Sequence, residues 1–186
     1  NIMKKYYVLD SNPYDYDHIM RIGIPADFNL DRRALYFGEM QYIDLRQEVL
    51  VLVKRNEELP DIYNYDLPLI SHRMKEVFDD IGVDNVYYKP ILLVENKDSY
   101  FEYYIPFVRV IDCVKWEKSE YREKTGGLKD IEGAFEIDDQ KVGNYKIFKI
   151  EDALSEIWVI NQELKEALEN MGIKGAKIVE TTSYER

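Results

Sequence analysis

The chain has 186 residues, 46% of them apolar, with 25 Lys plus Arg against 36 Asp plus Glu and a formal net charge of −11. That length suits one domain or two small subdomains sharing a core. The negative surface repels phosphate backbones, which argues against a nucleic-acid partner and favours encounter with a basic one. A single cysteine, Cys113, excludes an intrachain disulfide and a cysteine-based zinc site, and it fits a reducing compartment. No run approaches the roughly 20 apolar residues needed to span a bilayer, and the apolar segment after Lys4-Lys5 is too short for a signal peptide.

In chain order, Lys4 to Leu9 reads as a short strand ended by the turn cluster Asp10-Ser11-Asn12-Pro13. Tyr14 to Ile22 reads as a short helix stopped by Gly23, and Ile24 to Arg33 as loop. Ala34 to Ile43 and Glu48 to Val53 read as strands. The polar stretch Lys54 to Asp61, with Pro60, is the candidate boundary between an N-terminal lobe (1–60) and the rest (61–186).

Ser71 then caps a helix whose apolar face is Ile70, Met74, Val77, Phe78 and Ile81, and Gly82 ends it. Val86 to Glu95 and Tyr100 to Val114 flank Asn96-Lys97-Asp98-Ser99, the grammar of a hairpin. Pro90 and Pro106 require edge-like positions, bulges or breaks within it. Ser119 to Asp130, with Gly126-Gly127, reads as surface loop, and Ile131 to Ile137 and Tyr145 to Ile150 as weaker strands. A short strand, Ile157 to Ile160, runs into the cap Asn161 of another helix, which is lined by Ile160, Leu164, Leu168 and Met171 and ended by Gly172. Ala176 to Val179 is a last strand. Strands and helices do not alternate as βαβ, so the expectation is α+β, a mostly antiparallel sheet with about three helices packed on it.

The two capped helices repeat one pattern: Lys75, Glu76 and Gly82 recur as Lys165, Glu166 and Gly172. A cap, an apolar stripe and a glycine stop are what any surface helix needs, and the strands between do not align by eye, so the pattern reads as shared helix grammar rather than duplication.

No phosphate-cradling glycine loop, His-Glu-x-x-His or Gly-x-Ser-x-Gly occurs, and there are only two histidines, His18 and His72. Accordingly no catalytic residue, metal ligand or cofactor site is assigned. Ser71-His72 is not a nucleophile and base, because adjacent helical residues do not face each other. Asp112 with Glu117 is a carboxylate pair of the kind chance produces in an acidic chain. The 16 tyrosines are more suggestive. Tyr14-Asp15-Tyr16-Asp17 and the run containing Tyr63, Tyr65 and Asp66 interleave rings with acids, a pairing suited to partner contact, and Trp116 is a further candidate anchor. Half-buried packing explains tyrosines equally well at strand positions.

From Asp66 to Val179 the chain resembles a bacterial immunity-protein family of polymorphic toxin systems, long catalogued as a domain of unknown function. The matching pieces, in order, are Leu67-Pro-Leu-Ile-Ser71 opening a helix closed by Gly82, Val110-Ile-Asp-Cys-Val-Lys-Trp-Glu-Lys-Ser119, Ile147-Phe148-Lys149, Ile157-Trp-Val-Ile-Asn161, and Gly172-Ile-Lys-Gly175. Asn161 stands where the family usually has Ser, and Lys115 where it often has an acid. Ser71, Asp112, Ser119, Phe148 and Gly172 match recurring positions that fold maintenance also explains. The resemblance implies a cytoplasmic, non-enzymatic protein that neutralises a cognate toxin by stoichiometric occlusion. The alternatives are an enzyme of unrecognised type and a structural or regulatory interaction module.

Overall fold

A computed structural model describes residues 3–186. In chain order its strands are β1 (Tyr6–Ser11), β2 (Met20–Gly23), β3 (Glu48–Arg55), β4 (Ile62–Asn64), β5 (Pro68–Ser71), β6 (Val86–Asn96), β7 (Ser99–Val108), β8 (Val110–Ile111), β9 (Tyr121–Glu123), β10 (Lys129–Ile131), β11 (Ile147–Ile150), β12 (Trp158–Asn161) and β13 (Ala176–Glu180). The α-helices are α1 (Arg32–Phe37), α2 (His72–Asp80), α3 (Asp139–Val142) and α4 (Gln162–Met171). One large sheet runs β13-β1-β12-β11-β8 and the other β2-β3-β6-β7-β5-β4, with β9-β10 a separate ribbon. The α+β class therefore stands. The sheets are mixed rather than purely antiparallel, because β3 runs parallel to β6 and β11 parallel to β8. Residues 1–60 contribute strands to both large sheets.

Three local expectations are corrected. Tyr14 to Ile22 is not a helix: a single 3-10 turn (Tyr16–His18) precedes β2, whose Met20 and Ile22 point into the core. Ala34 to Ile43 is not a strand. Asp31 accepts from the Arg33 amide to cap α1, and Gly38, at φ 67°, ends it. The stretch 119–130, expected as loop, contains β9 and the start of β10. The two prolines sit as required. Pro90 lies just before the first residue of β6 that pairs with β3, and Pro106 lies beyond the residues of β7 that pair with β5. Neither faces an outer strand that would need its missing N–H.

Three apolar layers result. Leu50, Leu52, Leu93, Ile105 and Phe107 of the six-stranded sheet pack with Ala34 and Leu35 of α1. Tyr7, Ile147 and Ile160 of the five-stranded sheet meet Ile70 and Val108 of the other around Met74, Phe78, Leu164 and Leu168 of α2 and α4. The far face of the five-stranded sheet buries Val8, Phe148 and Val159 against Cys113, Phe135 and Val142. The hydrophobic effect of these layers is the dominant favourable contribution to folding.

The twin helices are equivalent members of a repeated structural unit, which revises the reading of their pattern as helix grammar alone. β4-β5-α2-β6-β7 corresponds to β11-β12-α4-β13-β1, with the N-terminal strand filling in the second unit the place that β7 fills in the first. Registers agree position by position. Ser71 faces Tyr103 and Ile70 faces Tyr104, as Asn161 faces Tyr6 and Ile160 faces Tyr7. Pro90 faces Tyr104 as Glu180 faces Tyr7. Lys75 lies 5.5 Å from the Tyr104 ring centre and Lys165 4.9 Å from that of Tyr7. The Ser71 amide donates to the Asp61 carbonyl at 2.8 Å, and the Asn161 amide to the Lys146 carbonyl at 2.9 Å. The relation is hidden in the sequence because the unit is permuted: one of its strands opens the chain.

The same equivalence relates two ion pairs of opposite polarity. Asp61 accepts from Arg73 through Nε (2.8 Å) and Nη2 (2.6 Å), while Lys146 pairs with Glu163 at 3.3 Å. Each cation also caps the other unit's helix. Arg73 donates to the carbonyls of Met171 (3.2 Å) and Gly172 (2.8 Å) at the end of α4, and Lys146 donates to the Ile81 carbonyl at the end of α2. Asp61 is the more deeply buried anchor, and it also accepts from the Ser71 hydroxyl (2.7 Å) and the Lys174 amide (2.8 Å). Asp61→Ala, which strands these donors, should cost about 3 kcal/mol in denaturant unfolding, and Glu163→Ala, at an exposed pair, under about 1 kcal/mol.

Candidate functional site

The two tyrosine-rich segments converge on one cleft of about 310 Å³, lined among others by Asp15, Tyr16, His18, Tyr63, Tyr65 and Gly175. The first segment leaves β1 through Asn12, whose amide donates to the Gly175 carbonyl at 2.8 Å and whose side chain accepts from the Tyr14 amide at 3.2 Å. The second is the turn after β4. Gly175 is required where they meet. Its φ is +72°, and a Cβ there would lie 2.8 Å from the Pro60 Cβ.

His18 clips the first segment down. Its Nδ1 lies 2.6 Å from Asp15 Oδ2 and its Nε2 3.0 Å from Glu58 Oε2, and Glu58 in turn accepts from Lys174 Nζ at 2.8 Å. The Asn56 amide donates to the Ile19 carbonyl at 3.1 Å, and the Asn56 side chain donates to the Tyr16 carbonyl. Behind this clip the rings of Tyr14, Tyr16 and Tyr65 stand 79%, 71% and 85% exposed, with Asp17 and Asp66 exposed beside them. Large rings in water, held by an anchored backbone and flanked by carboxylates, are the residue types that contact surfaces use. Tyr63 differs. It is buried in the core beneath α1, and its hydroxyl donates to Asp66 at 3.3 Å. Its burial, and then the Asp66 carboxylate beside it, raise its pKa.

The remaining predicted residues lie elsewhere. Trp116 packs edge-to-face on Tyr121, with ring centres 5.0 Å apart, and Lys129 lies over its ring. Asp112 is exposed and pairs with Lys141 at 3.5 Å. Ser71 caps α2, accepting from the Met74 amide at 3.2 Å. Ser119 donates to the Lys115 carbonyl (2.7 Å) and accepts from the Glu136 amide (3.1 Å), closing a turn. Lys115 itself pairs with Glu136 at 3.1 Å. Phe148 is fully buried against Tyr6, and Gly172 takes the left-handed conformation that ends α4. Sequence reasoning did not pick out His18, Glu58 and Lys174, the residues that hold the first tyrosine segment in place. The short-range spacing of Asp15 and His18 was the one legible signal.

A second cleft, about 540 Å³, lies between α1 and the segment after β11. Its buried Lys149 pairs with Glu156 at 2.8 Å and donates to the Leu35 carbonyl, so both polar groups serve to dock α1. Among the described residues there is no group of three or more His, Cys, Asp or Glu placed to hold a metal, and no helix is long and apolar enough to cross a membrane.

These features define an α+β protein with an exposed cluster of tyrosines and carboxylates. Residues 7–182 match the model of the Immunity protein family Imm11, and the chain belongs to that family. The match extends the resemblance through the N-terminal strands. No curated protein matches the chain.

Two predictions follow from local chemistry. Burial pushes the Cys113 thiol up to about 12, so almost no thiolate forms near neutral pH. The native protein should resist alkylation at pH 8 and react fully once unfolded, as read by mass spectrometry. Glu58 is held below its ordinary value of 4.5 by the hydrogen bond from Lys174 and then that from His18. A depressed folded-state pKa stabilises the clip above the unfolded value and loses that contribution as pH falls through the folded one. The Asn56 amide should therefore stay protected from hydrogen exchange at pH 5 and lose protection in more acid solution.

Proposed function

We propose that this chain is the non-enzymatic antidote to one bacterial toxin, binding it stoichiometrically in the cytoplasm and occluding its working surface. The observation that carries the reading is the convergence of Asp15 and Tyr16 with Tyr65 on one cleft, with Tyr14, Asp17 and Asp66 exposed in the same two segments. Membership of an immunity family supplies the partner class, a protein toxin. The net charge of −11 and the carboxylates among the rings favour a basic toxin. Electrostatic attraction would raise the encounter rate, and the rings would slow dissociation once desolvated.

The reading is tested with the toxin encoded beside this gene. The purified pair should form a tight one-to-one complex, and co-expression should restore growth. Tyr16→Ala and Tyr65→Ala should each weaken the complex about 5- to 30-fold with unchanged melting temperature, measured by calorimetry or interferometry. An intact complex in the double variant would move the interface elsewhere.

A further inference from the structure

The repeated unit makes one part of the molecule exceptional. In the second unit β13 is the edge of its sheet, whereas in the first the equivalent strand β6 is extended by β3 and β2. Helix α2 covers its face of the six-stranded sheet at Tyr88 and Tyr104, where Lys75 lies over both rings. Beyond Tyr104, on the same face, the extension is bare. Val49, Val51 and Val53 point outward from β3, at 56%, 56% and 66% exposure, while Leu50 and Leu52 point into the core. Register places Leu92 beside Val49 and Val94 beside Val51 on β6, with Tyr100 opposite Val94 on β7. Gly23 of β2 lies against the valines, where a Cβ would meet Val53 Cγ2 at 3.3 Å, so β2 lays no side chain over them at that position. Alternation along a solvent-facing strand calls for polar residues at these positions, and contiguous apolar patches on a charged protein mark contact sites.

We infer that this face is where a second copy of the chain docks, sheet against sheet, to form a two-fold dimer. The occupant follows from shape and charge. Val49, Val51, Val53, Leu92, Val94 and Tyr100 form a flat surface of small branched side chains, which another such surface can meet at the spacing of packed sheets, about 10 Å. None of the six carries a charge, and the adjoining carboxylate, Glu102 opposite Leu92 on β7, stands where a basic side chain of the other copy can meet it. The rims are complementary as well. Exposed Arg21 and Lys54 lie at the β2 end, and Glu102 and Glu76, both beside His72, lie at the α2 end. A two-fold axis along the strands sets the basic end of one copy over the acidic end of the other, as an isologous contact requires.

Sedimentation velocity over a concentration series tests this with the isolated full chain. The expected result is reversible dimerisation that Val51→Glu weakens at least about tenfold, since the charge would be buried without a partner. Circular dichroism should show that the variant melts as the parent does, because Val51 is already exposed. Val51→Cys provides an independent arm. It creates the exposed thiol of a chain whose own Cys113 is buried, and under mild oxidation it should cross-link copies into a disulfide-bonded dimer. Tyr65→Ala should leave dimerisation unchanged. A parent chain that is monomeric at every concentration, or a dimer indifferent to Val51→Glu, overturns the inference. So does a monomer that loses toxin binding with Val51→Glu, which would assign the face to the toxin instead.

Discussion

Asp61 joins four stretches of chain through a single buried side chain. Its carboxylate takes both forks of Arg73 on α2, the hydroxyl of the cap Ser71, and the amide of Lys174 after α4. Its own backbone amide donates to the Lys174 carbonyl at 2.9 Å. Arg73, held in place, then satisfies the last carbonyls of α4. A buried carboxylate is costly unless every lone pair is engaged. Here four donors engage it, so the two helices, the strand leading into β5 and the turn before β13 are fixed together. Lys174 also bonds Glu58, so the register that Asp61 sets extends to the His18 clip and hence to the tyrosine surface.

The second unit uses the opposite solution. Lys146 occupies the position of Asp61 and Glu163 that of Arg73, and the pair is longer and more exposed. Only one of the two junctions needs to be a fully engaged anchor, because the helices pack on each other and share one apolar layer. The difference also separates the outer surfaces. Near Asp61 the chain builds the tyrosine cleft. Near Lys146 the chain instead lines a shallow hollow with Lys4, Lys5 and the start of α4, where the described residues include no cluster of exposed rings. The repeated scaffold thus carries unlike side chains at its two junctions.

Tyrosine serves both purposes here, and burial decides which. Tyr6, Tyr63 and Tyr103 lie in the core, where desolvation, the leading cause in each, raises their pKa values. Tyr14, Tyr16 and Tyr65 stand in solvent on turns whose backbones are tied down. Rigid placement of large rings limits the ordering cost that binding would otherwise incur.

Local sequence determined the α+β class, the caps at Ser71 and Asn161, the glycine stops at Gly82 and Gly172, the β6–β7 hairpin and the acid–tyrosine segments, because each depends on neighbours a few residues away. It misjudged α1, where the apolar run of Ala34 and Leu35 reads as strand until the Asp31 cap and the Gly38 stop are weighed. It also misjudged β2, whose Met20 and Ile22 become strand residues only by pairing with β3. The repeated unit, the Asp61–Arg73 junction, the clip around His18 and the bare valine face were decided by tertiary structure alone. Each depends on groups far apart in the chain, and the N-terminal strand must close the second unit before any of the correspondence exists. Alternating valines in β3 state that one side of a strand faces a core; only the sheet order decides that the other side is left without a cover.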